Sequence, residues 1–480
     1  MEGRRLAAEN ALQTTATRVQ DRRFALNGLW RVREAAVRDK KLRFTSLLHY
    51  VDESLLYEAY RALNPGAAAG VDGVTWRDYG EGLQGRLRDL KDRVHRGTYR
   101  AQPSRRTYIP KADGSMRPLG IAALEDKIVQ QAVVTVLNQI YEVDFLGFSY
   151  GMRHGRDQHQ ALDALWVGLM DQKRVNWVLD ADIRGFFDAI DHRWALKFFE
   201  HRIADRRVLR LIQKWLRAGV SEDGEWSKSV VGTPQGAVIS PLIANVYLHY
   251  ALDLWLDDWR HKRAEGDVAV VRFADDFVVG FEHKLDAVAF HRELQERLQK
   301  FGLELHSTKT RLIEFGRYAE VNRQRRGLGK PETFVFLGFT HYCTRYGKGP
   351  RGVLRRRTAT KRMRSKLQQV KKEIRVRRHQ PIPEQGKWLG SVVRGFFIYH
   401  AVPGNMAALE CFREETARYW IRSLRSRSQM ARKRMSLKRF IPIRDKWLPQ
   451  PKITHAYPNV RFYRNHPRWE PYAGKPQVRI

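Results

Sequence analysis

Asp275 and Asp276 stand side by side in VAVVRFADDFVVGF, residues 268–281, in a chain whose formal net charge is +36. Strand-length apolar runs around a short polar break predict a β-hairpin with the two acids near its tip. Paired carboxylates held there call for a neutraliser, and a divalent cation serves. Upstream, Val175, Trp177, Leu179, Ala181 and Ile183 alternate with Asn176, Val178, Asp180 and Asp182, the period of a half-buried strand. Asp180 and Asp182 then share one face. Arg184-Gly185-Phe186-Phe187-Asp188 follows, with a glycine that lets the backbone come close to a ligand. A third carboxylate from this strand, meeting the hairpin pair, would hold two Mg²⁺ ions about 3.5–4 Å apart. Such a site stabilises the attacking and leaving oxygens of an in-line phosphoryl displacement. The chemistry is nucleotide transfer or phosphodiester cleavage. An Asp-Asp pair on its own is more often a turn or a solvated edge; the bulky flanks, the second acidic strand and the basic background favour the metal site. Asp180 is the weaker ligand of its pair and could be a structural acid paired with an arginine.

The surrounding elements have readable spacing. The basic N-terminal stretch to about residue 40 has helical character. Leu47 to Leu63 predicts an amphipathic helix stopped by Asn64-Pro65-Gly66, and Trp76 to Arg96 returns to helical spacing. Tyr108–Lys111 and Met116–Leu119 flank Ala112-Asp113-Gly114-Ser115, a hairpin with Lys111 and Arg117 on its arms. Leu124, Ile128, Ala132, Val136 and Ile140 mark a buried helix face. Gly232-Thr233-Pro234-Gln235-Gly236 predicts a tight turn presenting Gln235 just before a helix. FGLELHSTKTRLIE, residues 301–314, predicts strand, turn, strand, with Lys309 displayed, and Phe334 to Phe339 a further short strand. Gly347, Gly349 and Gly352 match GxGxxG formally, but the enclosed proline and the absence of a strand-turn-helix context make the segment a linker.

A length of 480 residues with 43% hydrophobic and 11% aromatic content predicts a globular protein of several domains. Lys and Arg number 88 against 52 acids, which points to a polyphosphate partner. No apolar run is long enough to span a bilayer, and the polar start lacks the apolar centre of a secretory signal; the expectation is a cytoplasmic protein with no membrane partner. Cys343 and Cys411 alone offer neither a disulfide framework nor a zinc cluster. Arg351 to Lys387 carries fourteen Lys/Arg against two acids, with Met363, Leu367, Val370 and Ile374 as a helical stripe, and so predicts a basic helix with one packed edge. A solvated face is the ordinary reading of such a run, but its lopsidedness favours a phosphate contact. Arg355, Arg356, Arg357, Lys361, Arg362, Arg364, Lys371 and Arg375 are the candidate RNA-binding residues. WLGSVVRGFFIYH, and Tyr419-Trp420 followed by eight Lys/Arg between Arg422 and Arg439, add aromatics that can stack on unpaired bases or serve as helix core.

VLDADIRGFFDAID, GTPQGAVISPLIANVYLHYALD, VRFADDFVVG and GLELHSTKTRLIEF, in this order, resemble the palm motifs of group II intron reverse transcriptases. NPGAAAGVDGVT, YIPKADGSMRPLGI and FSYGMRHGRDQHQAL resemble that family's N-terminal and finger segments, and WLGSVVRGFFIYHAVPGN its maturase region. The likeness covers most of residues 45 to 480. It implies an α+β right-hand polymerase, with fingers and palm around an antiparallel sheet and an all-α thumb and maturase region. The expected divisions are a basic helical extension over 1–44, fingers and palm over 45–340, linker, thumb and maturase-like helices over 341–440, and a basic tail over 441–480. Asp182, Asp275 and Asp276 would be the catalytic, metal-binding triad, with the Ile183 carbonyl as a further ligand of two Mg²⁺ ions, for which Mn²⁺ could substitute. Lys111 and Arg117 would contact the incoming triphosphate, Gly185 and Phe186 would offer it backbone amides, and Phe187 would gate the sugar 2′ position. Gln235 would line the nucleotide pocket and Lys309 would stabilise charge or donate a proton.

The resemblance also implies the partners: intron RNA or another RNA template, a DNA primer or target, and deoxynucleotides. Binding its own intron RNA would aid splicing and mobility. Phe273 stands where the family commonly has tyrosine, which keeps the ring and should spare metal binding. The chain stops at PYAGKPQVRI without a Cys/His cluster, so autonomous second-strand cutting is not expected. Rival readings are a domesticated, defence- or CRISPR-linked reverse transcriptase, a non-catalytic splicing factor, and an RNA-dependent RNA polymerase, which Phe187 disfavours.

Overall fold

The computed structural model describes residues 28–110, 116–172, 174–222, 225–227, 231–233, 235–345 and 352–465. Lys111, the turn expected at Ala112–Ser115, Pro234, Gly347, Gly349 and the first 27 residues lie outside them. The strands are β1 (Ser104–Pro110), β2 (Met116–Ile121), β3 (Trp177–Asp182), β4 (Val220–Glu222), β5 (Glu225–Ser227), β6 (Val268–Phe273), β7 (Asp276–Phe281), β8 (Arg311–Glu314), β9 (Phe334–Phe336), β10 (Phe339–Arg345) and β11 (Gly352–Thr358). They form three sheets, ordered β2-β1-β4-β5, β6-β7-β3-β8 and β11-β10-β9, set among many helices in an α+β arrangement.

The central sheet, β6-β7-β3-β8, is antiparallel throughout. Its residues alternate between two cores. Leu179, Ala181, Val270, Phe277 and Val279 pack with the helices Leu124–Asp144, Ser240–Leu248 and Lys284–Gln299. Val178, Ala269, Val271 and Val278 pack on the opposite side with helix Gln158–Val167 and with Phe334, Phe336, Phe339 and Leu354 of the β9–β11 sheet. With both faces covered, the positions that pack into either core are apolar, which explains the runs Val268–Val271 in β6 and Phe277–Val279 in β7. A third core, including Leu367, Val370, Ile374, Phe396, Phe412 and Trp420, holds the C-terminal helices together. No helix among the described residues is long and apolar enough to cross a membrane.

Several expectations need correction. The helix expected from Leu47 opens instead with a short turn at Leu48–Tyr50 and starts at Glu53, because the Asp52 carboxylate accepts from Leu55 N–H at 2.7 Å and caps it. Trp76 to Arg96 is two helices, broken where Gly82 takes φ 67. Of the first strand expected in 301–314, only a bridge between Leu305 and Ile183 remains. The strand expected over Phe334–Phe339 turns at Leu337 and Gly338, both at positive φ, and starts β10.

The expected boundary at residue 341 falls inside β10, which pairs antiparallel with β11 from Gly352 onward. Leu354 joins the core of the central sheet, so the helical C-terminal region begins at Thr360–Val376. Residues 352–358 are therefore strand, not basic helix, and their period of two points Arg355 and Arg357 outward and Arg356 inward. Arg356 is 4% exposed and reaches Asp163 at 3.5 Å, a carboxylate that Arg461 also engages at 2.7 Å. It is an internal ion-pair partner, not an RNA contact. The boundary expected at 440/441 likewise falls within helix Leu437–Trp447.

His341 pairs with Phe334 on one side and Arg356 on the other, its ring stacked on Phe334 at 4.9 Å. Burial, with the Arg356 charge adding to it, pushes its pKa from 6.5 down to about 3. Between those values the unfolded chain binds a proton that the folded chain refuses, so stability falls as pH falls through this window. Going from pH 7.5 to 5 should cost about 2 kcal/mol at this residue. His341→Phe keeps the stacked ring and cannot titrate. Urea unfolding at both pH values should show the variant gaining about 2 kcal/mol on wild type at pH 5; an unchanged difference would refute this account of His341.

Candidate active site

β6 and β7 pair from Val268↔Phe281 to Phe273↔Asp276, leaving Ala274 and Asp275 as a two-residue turn. Ala274 sits at φ 58, a left-handed conformation uncommon without glycine. Gly151 lies against it so closely that a Cβ there would come within 2.3 Å of the Ala274 nitrogen. Asp276 opens β7 directly across from Asp182 at the end of β3. The adjacent segment is pinned to the same strand end: His306 N–H donates to the Asp182 carbonyl at 2.8 Å, and Lys309 Nζ donates to Asp182 Oδ2 at 2.5 Å.

Electrostatics marks this cluster. Burial holds Asp276 well above the ordinary carboxylate range, and the charges of Asp180, Asp182 and Asp275 add to it. Asp275 is raised by burial and by Asp182, against the lowering influence of Arg117 and Lys309. Asp180 is pushed up to about 7, by burial above all and by Asp182, while Arg311 at 3.8 Å opposes the shift. Its arginine partner fits the structural role foreseen for it. Oxygen donors whose ionisation burial and mutual repulsion oppose, as at Asp275 and Asp276, suit a hard divalent cation, which would relieve the repulsion. Among the described residues no three His, Cys, Asp or Glu side chains are placed together so as to hold a metal ion. Lys309 occupies part of the Asp182 carboxylate instead.

The residues expected to meet a nucleotide lie around this strand end. Gly185 takes φ 54 and leads into the short helix Phe186–Ala189. Phe186 is buried; Phe187 is half-buried, its ring edge-on to Phe186 at 5.5 Å. Thr233 N–H donates to the Phe187 carbonyl at 2.8 Å, and the Gln235 carbonyl accepts from Gly120 N–H at 2.6 Å, so Thr233 is tied to β3's continuation and Gln235 to β2. Gln235 shares a cavity with Arg106, Gly120 and Asp188. Ile183 is buried and held by its bridge to Leu305.

A cleft of about 980 Å³ opens between the β1–β2 hairpin, which contributes Ile109 and Arg117, and the helices Thr360–Val376 and Ile382–His400. Lys361 and Arg362 line it, as do Ser365, Lys366, Ser391 and Gly395, which the sequence reading did not single out. Their signal was small or basic residues one helical turn apart. Lys371 and Arg375 are exposed on a different face, with Tyr419 and Arg422. Arg355, Arg357 and Arg364 are exposed. The sequence reading also passed over Arg272, a charged residue inside an apolar strand, which is 1% exposed.

The reverse transcriptase (RNA-dependent DNA polymerase) family matches residues 109–341, the span that contains all three carboxylates. The group II intron-encoded protein LtrA of Lactococcus lactis subsp. cremoris is 37% identical over 209 residues, 43% of this chain and 34% of LtrA. Protein YkfC of Escherichia coli (strain K12) is 34% identical over 312 residues, 57% of this chain and 81% of that protein. This chain belongs to the group II intron reverse transcriptases. The reverse transcriptase is also 33% identical over 227 residues to an uncharacterized 91 kDa protein in the cob intron of Schizosaccharomyces pombe, covering 45% of this chain and 27% of that protein. Its matches thus span about a third of LtrA and less of the yeast protein. Asp182, Asp275, Asp276, Arg117, Phe187, Gln235 and Lys309 fall inside the family match, whereas the basic helix that starts at Thr360 lies outside it.

Proposed function

We propose that this reverse transcriptase is a right-hand polymerase that adds deoxynucleotides to a primer 3′-hydroxyl on an RNA template. The observation that carries the reading is Asp276 facing Asp182 in register, beside the turn that bears Asp275, with Lys309 bound to Asp182. Asp182, Asp275, Asp276 and the Ile183 carbonyl would hold two Mg²⁺ ions, or Mn²⁺ in their place. Bound there, such ions supply charge stabilisation to the attacking and leaving oxygens of the displacement. The chain's own groups do the positioning. Arg117, which already acts on Asp275, and Lys111 would take the triphosphate; Gly185 and Phe186 would present backbone amides to it. Phe187 would wall off the 2′ position, Gln235 would line the base or sugar, and Lys309 would move from Asp182 to the phosphates as substrate arrives.

In this reading the central sheet is the palm, the β1–β2 unit the fingers, and the helices from Thr360 onward the thumb and maturase region. The cleft lined by Arg117, Lys361 and Arg362 suits a template–primer duplex. Exposed Arg355, Arg357, Arg364, Lys371 and Arg375 would grip RNA through phosphates, supporting a maturase role in splicing and mobility of an intron RNA. Its proposed place of work is the cytoplasm. Primer extension on an RNA template with Mg²⁺ tests the reading. Full-length cDNA from deoxynucleotides, with little product from ribonucleotides, is expected; RNA binding without extension would favour a splicing factor, and robust ribonucleotide incorporation an RNA polymerase.

A further inference from the structure

Arg272 lies one residue before Phe273 in β6, with Val268, Val270 and Val271 of the same strand packed in the cores. Its guanidinium is nonetheless fully engaged. Nε and Nη2 donate to the two oxygens of Asp253 at 2.7 and 2.6 Å, and Nη2 also donates to Ser149 Oγ at 2.7 Å. Nη1 donates to Asn245 Oδ1 at 3.2 Å and to the Ala274 carbonyl at 3.0 Å. Asn245 in turn donates through Nδ2 to the Gly151 carbonyl at 2.9 Å. Asp253 is 0% exposed, so the pair is sealed beneath the turn.

The Ala274 carbonyl belongs to the peptide that joins Ala274 to Asp275. One arm of the fork therefore fixes the plane of the peptide leading into a site carboxylate, while Gly151, held by Asn245, packs against the Ala274 nitrogen of the same turn. A buried ion pair is weak as a source of stability, since an apolar pair of similar volume often does as well. What an apolar pair could not do is hold a carbonyl. Ala274 at φ 58 needs such a hold, because an alanine leaves the left-handed region readily when nothing constrains it.

We propose that Arg272, anchored by Asp253, is a positioning residue that clamps the Ala274–Asp275 peptide and so sets the direction of the Asp275 carboxylate. The inference rests on the polymerase reading for its activity arm only. Lysine keeps the charge but cannot reproduce the fork. Arg272→Lys, purified as folded protein by circular dichroism, should lower kcat for primer extension about 30-fold or more, with template–primer affinity within about twofold of wild type. Its affinity for Mn²⁺, read by electron paramagnetic resonance, should weaken about tenfold. Adding Ala274→Gly to Arg272→Lys should recover much of both losses, because glycine holds the left-handed turn without the clamp.

A purely structural ion pair would not be rescued at residue 274. Arg272→Lys with wild-type kcat and Mn²⁺ affinity, or losses that Ala274→Gly leaves untouched, would overturn the proposal. Should the wild-type enzyme make no cDNA, the polymerase reading fails, and the Mn²⁺ arm still decides the clamp.

Discussion

Asp275→Ala combined with Asp276→Ala is expected to abolish cDNA synthesis, by about 10³-fold or more, while RNA binding stays nearly intact. The two carboxylates lie at the strand ends, far along the sequence from Lys361 to Arg375, and no exposed arginine of the basic helix pairs with them. Stability should move the other way. Burial and the charge of Asp182 hold both carboxyls above their ordinary range, with Asp180 and Asp275 adding to the effect at Asp276, so removing the pair relieves a repulsion that folding must overcome. Without divalent metal, the double variant should melt no lower than wild type. Filter binding, primer extension and thermal melting on one preparation check all three statements; loss of RNA binding together with activity would contradict separable sites.

Phe187→Ala is the second large effect. The ring is half-buried, braced edge-on by Phe186, and its backbone is fixed by Thr233. A hydrophobic wall rejects an added hydroxyl by only about 10²-fold, so removing the wall can forfeit no more than that. The variant should therefore accept ribonucleotides with a deoxy-to-ribo preference lowered about 10²-fold, with deoxynucleotide kcat falling much less. Single-nucleotide incorporation kinetics measure the ratio. An unchanged preference would make Phe187 ordinary core packing and move the gate elsewhere.

The legible parts of the chain were those governed by one local period. The alternation through β3 and the paired runs of β6 and β7 located the carboxylates, and the four-residue recurrence from Leu124 located the long helix. Where two rules competed, position in the tertiary structure decided. Arg351 to Lys387 carried enough helical spacing at Met363, Leu367 and Val370 to hide that its first residues alternate as strand, so Arg356 was counted with the surface cations although Asp163 buries it. GLEL failed as a strand because Ile183 offers Leu305 a single bridge and no more. Arg272 was visible only as an anomaly, one charge in an apolar strand, and its partners Ser149, Asn245 and Asp253 all lie outside that strand.

The account stands on divalent ions seated among Asp182, Asp275 and Asp276. Crystals of the reverse transcriptase with template–primer and a non-reactive deoxynucleotide, soaked in Mn²⁺, give the direct measurement through anomalous scattering. Two peaks, both within coordination distance of these carboxylates and one near the Ile183 carbonyl, are predicted. Peaks elsewhere, with Lys309 still on Asp182 and the nucleotide bound, would contradict it.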